Sequence, residues 1–128
     1  MNVNEKGVMG LLKVTTNLYS RGYTCFTPVD DYNPVDCIAM KDGVMYRLQI
    51  KYRSSEDGTY ELRSRSTVNG KNREIDRTLL DAWAVYLADR DKVIYIPISE
   101  MNGKKCYKIN EGNINFLERG PDGKAADC

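Results

Sequence analysis

The sequence predicts an α+β fold: an N-terminal helix packed on a mostly antiparallel mixed sheet, with additional β-hairpins behind it. Three observations predict it. Residues 5–20 carry apolar side chains at helical spacing. Most of the remaining chain is short apolar or alternating runs divided by turn residues. The length, 128 residues with 41% hydrophobic, suits one domain and one modest core.

In the helix at 5–20, Val8, Leu11, Leu12, Thr15 and Tyr19 form the apolar stripe, Asn4 caps the start and Gly22 marks the stop. Residues 23–29 read as a strand, Asp30 to Pro34 as a turn, and 35–40 as a second short strand. Lys41-Asp42-Gly43 predicts a hairpin, because Asp-Gly favours positive φ. Residues 44–53 give the longest strand signal. Met45, Arg47, Gln49, Lys51 and Arg53 share one face, and Val44, Tyr46, Leu48, Ile50 and Tyr52 the other. Residues 59–67 alternate as a strand, whereas 68–77 are polar, lack a period and read as a loop. Apolar runs at 82–88 and 92–98 flank Asp89-Arg90-Asp91 and predict a hairpin, with a helix over 82–88 as the alternative. A short strand is expected at 106–109. One domain is expected over 1–119, and a flexible tail over 120–128.

The net charge is +1, but it is unevenly spread. Residues 41–77 hold 9 Lys/Arg against 6 Asp/Glu, while the segments on either side are each net −1. The positive middle third can face phosphates or be an ordinary solvated surface. Four Cys, no C-x-x-C pair and no His argue against a Cys/His zinc centre. Free thiols suit a reducing cytoplasm, and no apolar stretch reaches the roughly 18 residues of a membrane span.

The chemistry concentrates at Asp36 and Gln49-Ile50-Lys51. Hydrolysing a phosphodiester calls for a hard cation on oxygen ligands, and for a lysine to orient water and stabilise developing charge. Gln49 and Lys51 share a strand face, the carbonyl of Ile50 is available to a metal, and a hairpin partner can carry Asp36 alongside. By spacing alone these residues are equally the wet face of a half-exposed strand.

The surrounding segments carry a resemblance. Lys6-Gly7, Gly10 and Lys13 open the helix and Ser20-Arg21-Gly22-Tyr23 closes it. Pro28-Val29, Pro34-Val35-Asp36, the run from Tyr46 to Tyr52, and the run from Asp91 to Ser99 follow in order. Over roughly residues 5–100 the chain resembles the PD-(D/E)XK homing endonucleases of group I introns, notably the cyanobacterial transfer-RNA intron type. The resemblance implies a nuclease-like core and Mg²⁺-dependent, sequence-specific cutting of double-stranded DNA by a homo-oligomer, dimer or tetramer. It implies Asp36, Gln49 and the Ile50 carbonyl as metal ligands, and Asp36, Gln49 and Lys51 as the catalytic set.

One position departs from that pattern. The family carries a glutamate on the first helix where this chain has Leu11. Glu5 lies about 240° round a helix from position 11 and points elsewhere. Asp30 and Asp31 can lend a carboxylate or simply build the turn. Leu11 is a natural loss or an engineered inactivation. Arg47, Arg53, Arg63 and Arg65 are candidates for reading DNA from a two-stranded ribbon, and Lys71, Arg73 and Arg77 for phosphate contacts. Trp83, Tyr86 and Tyr95 are expected in the core or at a subunit interface, because the apolar faces over 82–98 exceed what one helix covers. Two alternatives remain open: a non-catalytic DNA-binding protein on a nuclease fold, and a structure-specific junction nuclease.

Overall fold

The computed structural model describes residues 1–123 except 31, 64, 69–70, 75–76 and 102–105; for 65–68, 71–74, 77 and 101 it describes the backbone alone. Helix α1 spans Val3–Ser20. Its start is fixed by a reciprocal cap two residues earlier than Asn4. The Glu5 N–H donates to Asn2 Oδ1 at 2.8 Å, and the Asn2 N–H to Glu5 Oε1 at 3.1 Å. Such a cap contributes about 1 kcal/mol.

The buried stripe of α1 is Gly10, Val14 and Leu18. Val8, Leu12 and Tyr19, expected to face the core, are exposed. The helix has two apolar stripes, and the one containing Gly10 packs because it allows the closer approach. A Cβ at Gly10 would stand 3.4 Å from Ile50 Cγ2, so a larger side chain would push α1 off the sheet.

Strands β1 (Thr24–Phe26), β2 (Cys37–Lys41), β3 (Val44–Arg53), β7 (Ala82–Leu87) and β8 (Lys92–Pro97) form one sheet in the order β1-β2-β3-β7-β8. Only the β3–β7 pairing in it is parallel, so the sheet is mixed and mostly antiparallel. β1 is shorter than expected; Pro28, with no N–H, lies just beyond its end. Asp42 (φ 53°) and Gly43 (φ 77°) make the two-residue hairpin that sets the β2–β3 register.

Every residue of β7 is buried. It is a strand and not the alternative helix; a continuous apolar run fits because both faces of the sheet are covered there. On one face α1 packs Val14 and Leu18 against Leu48, Ala84 and Tyr95. On the other, Trp83, Val85 and Ile94 meet β4 (Tyr60–Arg63), β9 (Cys106–Ile109) and α2 (Ile114–Leu117). The chain's own β4–β9 pair and α2 therefore cover the surplus apolar face of 82–98, and Trp83, Tyr86 and Tyr95 are buried in it.

β5 (Arg65–Val68) and β6 (Lys71–Glu74) pair antiparallel as a separate ribbon where a loop was expected over 68–77. Gly120 and Pro121 are buried, and the Gly123 N–H donates to Gly120 O, so the chain is still packed where the tail was expected to begin.

Candidate active site

The site grows from the point where β2 parts from β3. The last pair of that ladder is Cys37 with Leu48, so Asp36 stands one step beyond it, opposite Gln49. The Asp36 N–H donates to Leu48 O at 2.8 Å, and Asp36 Oδ2 accepts the Ile50 N–H at 2.8 Å. The carboxylate is thereby fixed on the middle residue of Gln49-Ile50-Lys51. The loop that delivers it is held by its own side chains: the Asn33 N–H donates to Asp30 Oδ1 at 3.1 Å, and the Val35 N–H to Asn33 Oδ1 at 2.9 Å. Pro34 between them restricts φ and stiffens the approach.

A cavity of about 460 Å³ opens between this loop and the N-terminal half of α1. Lys6, Gly7, Gly10 and Leu11 line it from the helix, Thr27, Pro28, Asp30, Asn33 and Asp36 from the loop, and Ile50 and Tyr52 from β3. Gly7 and Gly10 leave the volume open because they bring no side chain. Leu11 forms an apolar wall at the position where the resemblance leads one to expect a glutamate. The ligating atoms on offer are carboxylate, carboxamide and carbonyl oxygens, a donor set suited to a hard cation such as Mg²⁺. Among the described residues no cluster of three or more His, Cys, Asp or Glu forms, so the acids of this cavity are Asp30 and Asp36. Lys6 Nζ sits 5.9 Å from the centre of the Tyr52 ring.

Electrostatics single out two groups. Burial pushes the Asp36 carboxyl above its ordinary value, against the opposing pull of the Ile50 N–H and the Lys51 charge. Burial also lowers Lys51, helped by Arg53 and opposed by Asp36. The two charges feel each other, yet for both the loss of solvent outweighs the attraction. A carboxylate short of positive charge beside a lysine closer to neutrality is an arrangement that a bound cation would relax.

Gln49 is turned away from the cavity. It is 7% exposed, and its Oε1 accepts the Trp83 indole N–H at 2.9 Å. Gln49 and Trp83 are register partners across the parallel β3–β7 pair, which puts their side chains on one face. One lone pair of the carboxamide oxygen is thus committed and a second remains.

The structure scatters the arginines. The Arg47 guanidinium forks onto Asp81, with Nε to Oδ2 at 3.1 Å and Nη2 to Oδ1 at 3.2 Å. Asp81 Oδ2 also accepts the Arg47 N–H at 2.7 Å, and the Asp81 N–H donates to Arg47 O. Arg47 therefore ties β3 to the start of β7 and sits four residues from Lys51. Arg53 donates to the carbonyls of Tyr52 and Glu61, joining β3 to β4. Arg63 is exposed, with Nη2 3.7 Å from Glu61 Oε2. The side chains of Arg65, Lys71, Arg73 and Arg77 lie outside the described residues, although their backbones place Arg65, Lys71 and Arg73 on the ribbon. Sequence reasoning missed Trp83 as the group that holds Gln49. Its only signal was a lone indole in an apolar run, which any core would explain.

Comparison with known proteins follows the same line. The description of PD-(D/E)XK endonucleases matches residues 1–114. No curated protein matches the sequence. Among solved structures, the bacterial homing endonuclease I-Ssp6803I superposes with a TM-score of 0.72 at 14% identity, over 97% of this chain and 88% of that one. Hjc, a Holliday junction resolvase from the archaeal hyperthermophile Archaeoglobus fulgidus, superposes with a TM-score of 0.55 at 15% identity, over 84% of this chain and 85% of that one. At those identities the two likenesses show a shared fold. With the matched residues running from the first turn of α1 through Asp36 and Lys51 to α2, the chain belongs to the PD-(D/E)XK endonuclease family, enzymes that hydrolyse phosphodiester bonds.

Proposed function

We propose that this protein is a Mg²⁺-dependent, sequence-specific double-strand DNA endonuclease of the homing type, impaired because Leu11 replaces a helix carboxylate. The observation that carries the reading is the Asp36 carboxylate, pinned by the Ile50 N–H at the wall of an open cavity and within electrostatic reach of Lys51. Asp36 and the Ile50 carbonyl would hold Mg²⁺, with the free lone pair of Gln49 as a neutral ligand. When bound, the cation polarises the phosphate and lowers the pKa of a coordinated water. Lys51 orients that water and stabilises the charge developing on phosphorus oxygens. Lys6, at the cavity wall, is placed to meet the incoming phosphate.

The ribbon suits DNA. Residues 65–74 carry three Lys/Arg against one Glu, and a two-stranded ribbon fits the major groove. Arg63 at its base, with Arg65, Lys71 and Arg73 along it and Arg77 just beyond, would supply base and phosphate contacts. Arg47 and Arg53 act instead by holding the strands that carry the site. A homo-oligomer, dimer or tetramer, is supported by the exposed Val8, Leu12 and Tyr19 stripe on α1.

Leu11 favours a second reading, a DNA-binding protein without catalysis, because it leaves the cavity short of an acid. The shared fold with a junction resolvase raises a third, cutting of branched DNA. The test is cleavage and binding on linear duplex libraries and on four-way junctions, with Mg²⁺ and with EDTA. Site-specific linear products in Mg²⁺ alone support the proposal. Binding without cutting supports the second reading, and preference for junctions the third.

A further inference from the structure

We propose that Asp30 supplies the second carboxylate of the metal site, in place of the helix acid that Leu11 displaces. The inference rests on the nuclease reading and goes beyond it, since no motif marks Asp30. Asp30 lines the same cavity as Asp36, Leu11 and Ile50. Its setting is unusual for a surface turn. Val29 beside it is 108% exposed and Tyr32 86% exposed, yet the charged Asp30 is half-buried and faces the cavity. A turn that puts its apolar residues in water and shelters its carboxylate inverts the ordinary preference.

The loop's hydrogen bonds fix where that carboxylate points. Asp30 Oδ1 takes the Asn33 N–H, Asn33 Oδ1 takes the Val35 N–H, and Asp36 Oδ2 takes the Ile50 N–H. The two aspartates are thus tied into one short relay, each with a single carboxylate oxygen engaged by a backbone donor. A carboxylate has about four acceptor positions, so one N–H leaves capacity for a cation. The metal would bridge the mouth of the loop to the edge of β3, with Leu11 as its apolar back wall. Asp30 is here a ligand, and its hydrogen bond to Asn33 is what positions it.

The substitution that separates ligand from turn-maker is Asp30→Asn. The carboxamide keeps an oxygen for the Asn33 N–H, so the loop persists while the charge is lost. Asp36→Asn likewise keeps an acceptor for the Ile50 N–H. Binding of Mg²⁺ to the full chain is measured by calorimetry, and of Mn²⁺ by electron paramagnetic resonance, with circular dichroism confirming the fold of each variant. The expected result is binding by the parent, at least tenfold weaker binding in Asp30→Asn, loss in Asp36→Asn, and recovery in Asp30→Asn/Leu11→Glu. Parent-like binding in Asp30→Asn with loss in Asp36→Asn would overturn the role of Asp30 and leave the nuclease reading standing. Absence of binding by the folded parent, or indifference to both substitutions, would overturn both.

Discussion

Replacing Leu11 by Glu restores a third carboxylate to the cavity, and its cost follows from the structure. Leu11 is half-buried, so removing its packing costs about half of the roughly 2 kcal/mol that full burial of a Leu contributes. A third anion facing Asp30 and Asp36 adds repulsion of about 1–2 kcal/mol at an effective dielectric near 20. Without metal, Leu11→Glu should therefore lose about 2–3 kcal/mol, or roughly 8–12 °C in Tm for a domain of this size. Mg²⁺ binds the folded variant and not the unfolded one. At about 100 times its dissociation constant it returns about 2.7 kcal/mol, most of the loss. The assay is thermal melting of parent and variant in EDTA and in Mg²⁺, followed by cleavage of the preferred duplex. The variant should melt low in EDTA, recover in Mg²⁺, and cut at least tenfold faster than the parent. Equal melting in EDTA, or the same Mg²⁺ response in both proteins, would refute the placement of position 11 at the metal site.

The remaining predictions concern the site's neutral-pH strain, its support and the helix surface. Asp36 has a folded pKa raised above its ordinary 3.8, so the folded state holds its proton longer than the unfolded one. Stability should then fall as pH rises from about 3.8 through the raised value, and Asp36→Asn should melt higher than the parent at pH 7 in EDTA while losing all Mg²⁺ response; a lower Tm would contradict this. Trp83→Phe removes the donor to a buried Gln49 oxygen and should cost about 1–3 kcal/mol by urea unfolding. The double variant Trp83→Phe/Gln49→Met should lose less than the two single losses added, and strict additivity would show that the bond contributes nothing. Leu12→Glu on the exposed face of α1 should leave the Tm within about 0.5 kcal/mol of the parent and lower the sedimenting mass. An unchanged mass would remove that stripe as the contact between copies.

What could be read in the sequence was whatever left a local period. β3 and its hairpin were legible over their full length, because Asp42-Gly43 fixes the turn and one face of the strand is plainly apolar. The ribbon of β5 and β6 was not. Lys71-Asn72-Arg73-Glu74 is polar throughout, so it carries no apolar alternation to betray a strand. α1 was found but turned the wrong way. Two apolar stripes compete on it, and the choice depends on how closely Gly10 approaches Ile50, a tertiary contact that helix periodicity does not encode. The site divided along the same line. The pairing of Asp36 with the Gln49-Ile50-Lys51 strand was visible in order and spacing. That the bond falls on the Ile50 N–H, that Gln49 is held by Trp83, and that Arg47 is taken by Asp81 depend on partners more than 30 residues away or on the exit geometry of a loop.

The central claim is that Asp36 and Lys51 form a metal-dependent cutting site. Single-turnover cleavage of the preferred DNA in Mg²⁺, compared between the parent, Asp36→Ala and Lys51→Ala, tests it most directly. The account predicts product from the parent in Mg²⁺ and none in EDTA, with both variants folded, still bound to DNA and slowed at least a hundredfold. Parent-like cutting by both folded variants would contradict it.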